Sequence, residues 1–144
     1  MKYLLLVSHG DFSNGLKQTL SMFAGDVVDS VIAIGLKPDE SVATFGTRFE
    51  TLFKNFPTDA QFIVLADIIG GSPLTTVCNV LNKYNKLHNS LIAGGMNFPM
   101  ALAAMMSKDT MEDAELKAKI MSGGIEAVKF FNVSTPSESS DEDI

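Results

Sequence analysis

Four short apolar runs, each closed by a polar residue or a glycine, punctuate the chain. They are Tyr3-Leu4-Leu5-Leu6-Val7 before Ser8-His9-Gly10, Val31-Ile32-Ala33-Ile34 before Gly35, Phe62-Ile63-Val64-Leu65-Ala66 before Asp67, and Leu91-Ile92-Ala93 before Gly94-Gly95. Unbroken apolar runs of this length mark strands covered on both faces, as in a parallel sheet. Between them the apolar positions change to helical spacing. Phe12, Leu16, Leu20 and Phe23 predict a helix capped by Asp11 or Ser13 and ended by Gly25. After a turn at Gly35 to Pro38, Asp39 is the predicted cap of a helix carrying Val42, Phe45, Phe49, Leu52 and Phe53. Ser72-Pro73 opens a third helix to about Tyr84, with serine capping, proline at the first helical position, and Leu74, Val77, Cys78 and Leu81 inward. Pro99 marks a helix over 100–106, and Thr110 with Asp113 three residues on opens another, closed by Gly123-Gly124.

The order β-α-β-α-β-α-β predicts a doubly wound α/β domain, a mostly parallel sheet with helices on both faces. A chain of 144 residues suits one such domain. The run 125–132 has Val128, Phe130 and Phe131 interrupted by Glu126 and Lys129, and predicts an exposed edge strand that something must cover. Residues 133–144 are acidic and serine-rich and predict a disordered tail.

Charge and composition narrow the function. A net charge of −6 gives no basic footprint for nucleic acid or anionic lipid, so proteins or small molecules are the expected partners. No apolar run approaches the ~20 residues needed to span a bilayer, and no secretory signal is evident, so the expected location is the cytoplasm. Cys78 is alone, which excludes an internal disulfide and reads as core packing. His9 and Asp67 offer no convincing third ligand, so no metal is expected. His88, in a polar loop, reads as solvated, and the methionines at 96, 100, 105, 106, 111 and 121 as core or interface filler.

The carboxyl edge of a parallel sheet is where ligands bind, and three strands end there in polar, glycine-containing loops. If the first and third strands are neighbours, Asp67 can accept a hydrogen bond from one nitrogen of His9, leaving the other free as nucleophile or base. Gly70, Gly71 and Ser72 lead into a helix whose N-terminus suits a phosphate. A histidine nucleophile beside an anion cradle suggests phosphoryl transfer. No basic residue lies in these loops and the cradle lacks a P-loop lysine, so neither ATP with Mg²⁺ nor any other cofactor is expected, and the phosphoryl group would come from another protein.

Together, the strand with Ser8-His9-Gly10, the run Asp67-Ile68-Ile69-Gly70-Gly71-Ser72-Pro73 and Gly95-Met96-Asn97-Phe98-Pro99-Met100 resemble one family over residues 1–132. It is the IIA component of the mannose family of the bacterial phosphoenolpyruvate-dependent sugar phosphotransferase system (PTS). The resemblance implies a cytoplasmic phosphotransferase component that accepts a phosphoryl group from phospho-HPr and passes it to IIB, serving the membrane components IIC and IID. The family's phosphorylated histidine matches His9, the aspartate that hydrogen-bonds it matches Asp67, and the loop serine matches Ser72. It also implies a homodimer whose last strand crosses to the partner's sheet and runs antiparallel there, which suits 125–132. The acidic tail has no family role, Ile69 and Leu74 stand at positions open to variation, and IIB is expected to be a separate protein. Two readings compete: a phosphocarrier subunit of a dihydroxyacetone kinase, which shares the strand-Ser-His start without the Gly-Gly-Ser-Pro loop, and a non-enzymatic anion-binding regulatory module. A phospho-aspartate receiver would need an acidic pair where this chain has Ser8-His9.

Overall fold

The computed structural model describes residues 1–134. Its elements are β1 (Lys2–His9), α1 (Phe12–Ala24), β2 (Val31–Leu36), α2 (Val42–Phe53), β3 (Gln61–Ala66), α3 (Ser72–Lys83), β4 (Leu91–Ala93), α4 (Phe98–Ser107) and α5 (Asp113–Glu126). Short 3₁₀ turns at Gly25–Ser30 and Leu87–Asn89 lead into β2 and β4. The four strands form one sheet in the order β2-β1-β3-β4, every pair parallel. The chain steps from β1 to β2 on one side and then returns past β1 to β3, so the switch point lies between β1 and β3.

Alternate residues of the strands feed two cores. Leu4, Leu6, Ile63 and Leu65 pack with Leu16 and Leu20 of α1, with Met100, Ala104 and Met105 of α4, and with Leu116 and Ile120 of α5. Leu5, Val7, Phe62 and Val64 face the other way, against Phe45, Phe49 and Phe53 of α2 and Leu74, Val77 and Leu81 of α3. The doubly wound α/β expectation therefore holds, and it holds because β1 and β3 bury both of their faces.

Several local expectations do not. Ser41, not Asp39, caps α2, its hydroxyl accepting from the Thr44 N–H. β2 continues through Gly35 to Leu36 because these residues pair with Ser8 and His9 of β1, and glycine suits position 35 because a β-carbon there would stand 1.9 Å from the Gly10 carbonyl oxygen. Gly71 is the cap of α3, so Ser72 is its first helical residue and does no capping. α4 opens two residues early because the Asn97 side chain accepts from the Met100 N–H. α5 is capped at Glu112, not Thr110, and runs through Gly123 and Gly124. Those glycines do not end the helix; they let it approach α4, since β-carbons there would stand 3.0 Å from Ala103 Cβ and Met100 Cε. Phe12 and Phe23 are more than half exposed, Phe23 resting against Phe98, and Cys78 is only half-buried.

The predicted strand 125–132 does not form among the described residues. Ile125 and Glu126 complete α5, and after Ala127 the described residues join no strand, the Val128 N–H only reaching back to the Ile125 carbonyl at 3.2 Å. A strand needs an edge to pair with. Here Phe130 and Phe131 point fully into solvent. The tail expectation falls almost wholly on 135–144, outside the described residues.

Candidate functional site

β1 and β3 are hydrogen-bonded in register, Val7 beside Ala66, and the Asp67 N–H extends the ladder to the Val7 carbonyl at 3.1 Å. This brings Asp67 beside His9. One carboxylate oxygen of Asp67, Oδ2, lies 2.8 Å from the His9 backbone nitrogen and 2.8 Å from His9 Nδ1, while Oδ1 accepts from the Ile68 N–H at 2.9 Å. The two residues expected to meet therefore do, and Asp67 holds both the main chain and the ring of His9. With an ionised Asp67 as acceptor, Nδ1 carries the proton, and Nε2 has no hydrogen-bond partner among the described residues. The ring is half exposed, whereas Asp67 is largely covered. Burial alone would push the Asp67 carboxyl up, but hydrogen bonds from the His9 N–H, the His9 ring and the Ile68 N–H outweigh it and hold the group below its ordinary value. Asp67 is thus an anion at neutral pH.

The loop after Asp67 folds back onto the ring. Gly70 adopts φ +88°, a left-handed conformation open to glycine at little cost, and Gly71 then lies so close that a β-carbon would stand 3.0 Å from His9 Cε1. The internal ladder of α3 begins with the Thr75 N–H donating to the Gly71 carbonyl, so the earlier N–H groups of the helix face the same edge of the sheet. The Ser72 hydroxyl is exposed there. The third loop joins in as well: the Gly95 N–H donates to the Asp67 carbonyl at 3.2 Å, and the Met96 N–H to that of Ala66 at 3.0 Å. His88 lies elsewhere, in the turn at the amino edge of β4. Among the described residues no three His, Cys, Asp or Glu side chains are grouped to hold a metal.

Sequence reasoning missed what lies beneath His9. Ser8 and Ser13 are fully buried, with the Ser13 N–H donating to Ser8 Oγ at 2.9 Å, the two hydroxyls 2.9 Å apart, and the Ser8 hydroxyl 3.2 Å from the Gly10 carbonyl. The Gly10 N–H in turn donates to the Leu36 carbonyl at 2.7 Å. His9 is thereby fixed on both sides along the chain. One signal was available: two serines five residues apart, either side of the strand-to-helix turn.

With this geometry in view, the comparisons with known proteins converge. The family model EIIA-man, described as PTS system fructose IIA component, matches residues 3–121. A PTS fructose-specific EIIA component of Bacillus subtilis (strain 168) is 24% identical over 106 residues, which is 74% of this chain and 70% of that protein. The mannose/sorbose specific IIA subunit from Enterococcus faecalis superposes with a TM-score of 0.77 at 23% identity, covering 92% of this chain and 97% of that one. The PTS IIA protein associated with the fucose utilization operon of Streptococcus pneumoniae gives a TM-score of 0.71 at 28% identity, covering 94% and 95%. The family model covers most of the chain, and the chain belongs to the EIIA-man family of PTS IIA components.

Proposed function

We propose that this protein is a cytoplasmic phosphocarrier that takes a phosphoryl group from phospho-HPr onto Nε2 of His9 and passes it to a IIB component that serves membrane components IIC and IID. The observation that carries this reading is the Asp67 carboxylate on Nδ1, which leaves Nε2 of a half-exposed ring as the nucleophile. The Nε2 lone pair attacks phosphorus in line, the P–N bond to the donor histidine breaks, and its electron pair returns to the donor ring. Nδ1 keeps its proton, donated to Asp67, which offsets the positive charge that grows on the imidazole. Gly70, Gly71 and Ser72, with the N-terminus of α3, cradle the equatorial oxygens. Both end states are phosphohistidines, so catalysis consists of placing two imidazoles in line. The fructose IIA family match favours a sugar system over the dihydroxyacetone kinase subunit and the anion-binding module. No helix among the described residues is long and apolar enough to cross a membrane, in keeping with a carrier that moves between partners.

The same reading includes residues 1–132 as the family domain and a homodimer joined by exchange of 127–132. Among the described residues β4 is an edge strand with one side unpaired, flanked by a recess of about 330 Å³ lined by Leu65, Leu91, Ala93, Ile120 and Met121, among others. The exposed Val128, Phe130 and Phe131 of a second copy supply apolar surface for it.

Intact-mass measurement after incubation with phosphoenolpyruvate, enzyme I and HPr tests the function. One acid-labile phosphoryl group on the wild type and none on His9→Ala is the expected result. A His9→Ala protein that still takes label, or a wild type that takes none from active HPr, overturns it.

A further inference from the structure

We propose that Ile68 and Ile69 form an apolar collar that docks the phosphohistidine-bearing donor protein and aims it at His9, an inference that rests on the phosphocarrier reading. Two large aliphatic side chains stand in the loop directly after Asp67, 52% and 67% exposed, where loops usually present polar groups to water. Each nonetheless rests on a glycine of the site. A β-carbon on Gly71 would come 3.2 Å from Ile68 Cγ1 and 3.0 Å from His9 Cε1, so Ile68 and the ring both approach the same glycine. Ile69 rests on Gly94, where a β-carbon would stand 2.5 Å from its Cγ1, and the next residue, Gly95, is hydrogen-bonded to the Asp67 carbonyl. Side chains held this way lose little freedom when a partner arrives.

Cε1 is the ring carbon between the two nitrogens, so Gly71, which Ile68 flanks, lies against the edge of the ring next to the free Nε2. Residues 68–82 carry no charge. This flank of the site can therefore be read only by apolar contact and neutral hydrogen bonds, and the face it fits is an uncharged, apolar rim around a histidine. Well-packed apolar anchors at the centre of an interface carry a large share of its binding energy. Closing such a rim over Nε2 also removes water from the phosphoryl group in flight.

Ile68→Ser and Ile69→Ser proteins, labelled in parallel from phospho-HPr and from phosphoramidate, a small donor with no protein surface, test the collar. The expected result is a rise of about tenfold in KM for phospho-HPr with the saturated rate retained, and a matching fall in the ratio of phospho-HPr to phosphoramidate labelling. Ile68→Val and Ile69→Val should bring KM back. An unchanged KM in both serine proteins overturns the collar. Equal losses with both donors overturn it too, because the isoleucines would then shape the site and not read the partner. A wild type labelled by neither donor at His9 would instead bring down the phosphocarrier reading itself.

Discussion

An amide in place of the Asp67 carboxylate keeps the size of the side chain but removes the charge that fixes the His9 ring. A hydrogen bond to a charged group contributes about 1.5–3 kcal/mol, so Asp67→Asn should slow transfer from phospho-HPr by about 10- to 100-fold. Quenched-flow labelling would measure this, and a rate within twofold of wild type would deny Asp67 its role in aligning the ring. At this scale much of the site could be read from sequence. His9 and Asp67 each end an apolar run, and a polar residue closing a buried strand has only the sheet edge to occupy. Ser72 shows the limit of such reading: its hydroxyl is free because the cap falls one residue earlier, at Gly71, and a one-residue offset in cap position depends on how the loop closes on His9.

The elements are held against one another by contacts that no periodicity announces. Arg48 of α2 donates to both carboxylate oxygens of Glu40, at 2.8 and 2.7 Å, and to the Gly35 carbonyl at 2.7 Å, tying the end of β2 to the next helix. The Arg48 hydrogen bond, with help from the Lys37 N–H, holds the Glu40 carboxyl down to about 2. A depressed carboxyl stabilises the fold above its unfolded value of 4.5, and that contribution fades as the pH falls from there to about 2. Urea midpoints followed across this range should therefore drop more steeply in the wild type than in Glu40→Gln, and parallel curves would refute the linkage. Gly35→Ala forces a β-carbon onto the Gly10 carbonyl, so the main chain must move. The expected loss is about 1–3 kcal/mol in urea unfolding, together with slower labelling of His9, the residue next to Gly10. The helix pattern identified α1 to α3 because each presents an apolar stripe to the sheet. It misjudged the end of α5, since glycines inside a helix and glycines after one look alike until the neighbouring helix is in place.

For the whole molecule the decisive question is what covers Phe130 and Phe131. Light scattering should find the full chain dimeric, and Phe130→Ser with Phe131→Ser should shift it toward monomer while circular dichroism retains the helices. A monomeric wild type would refute the exchanged strand. The two cores, by contrast, needed no partner to be foreseen: apolar runs buried on both faces, alternating with amphipathic helices, leave a parallel sheet covered on both sides as the way to remove that surface from water. The sequence by itself thus determined the layers, the sheet edge that holds the site, and the pairing of His9 with Asp67 once β1 and β3 are neighbours. The tertiary structure decided which nitrogen of His9 is free, where the buried Ser8 and Ser13 support it, and that 127–132 finds no strand partner among the described residues. These depend on distances between segments far apart along the chain, which local pattern does not encode, whereas burial of a strand or a helix face is recorded in the residues that form it.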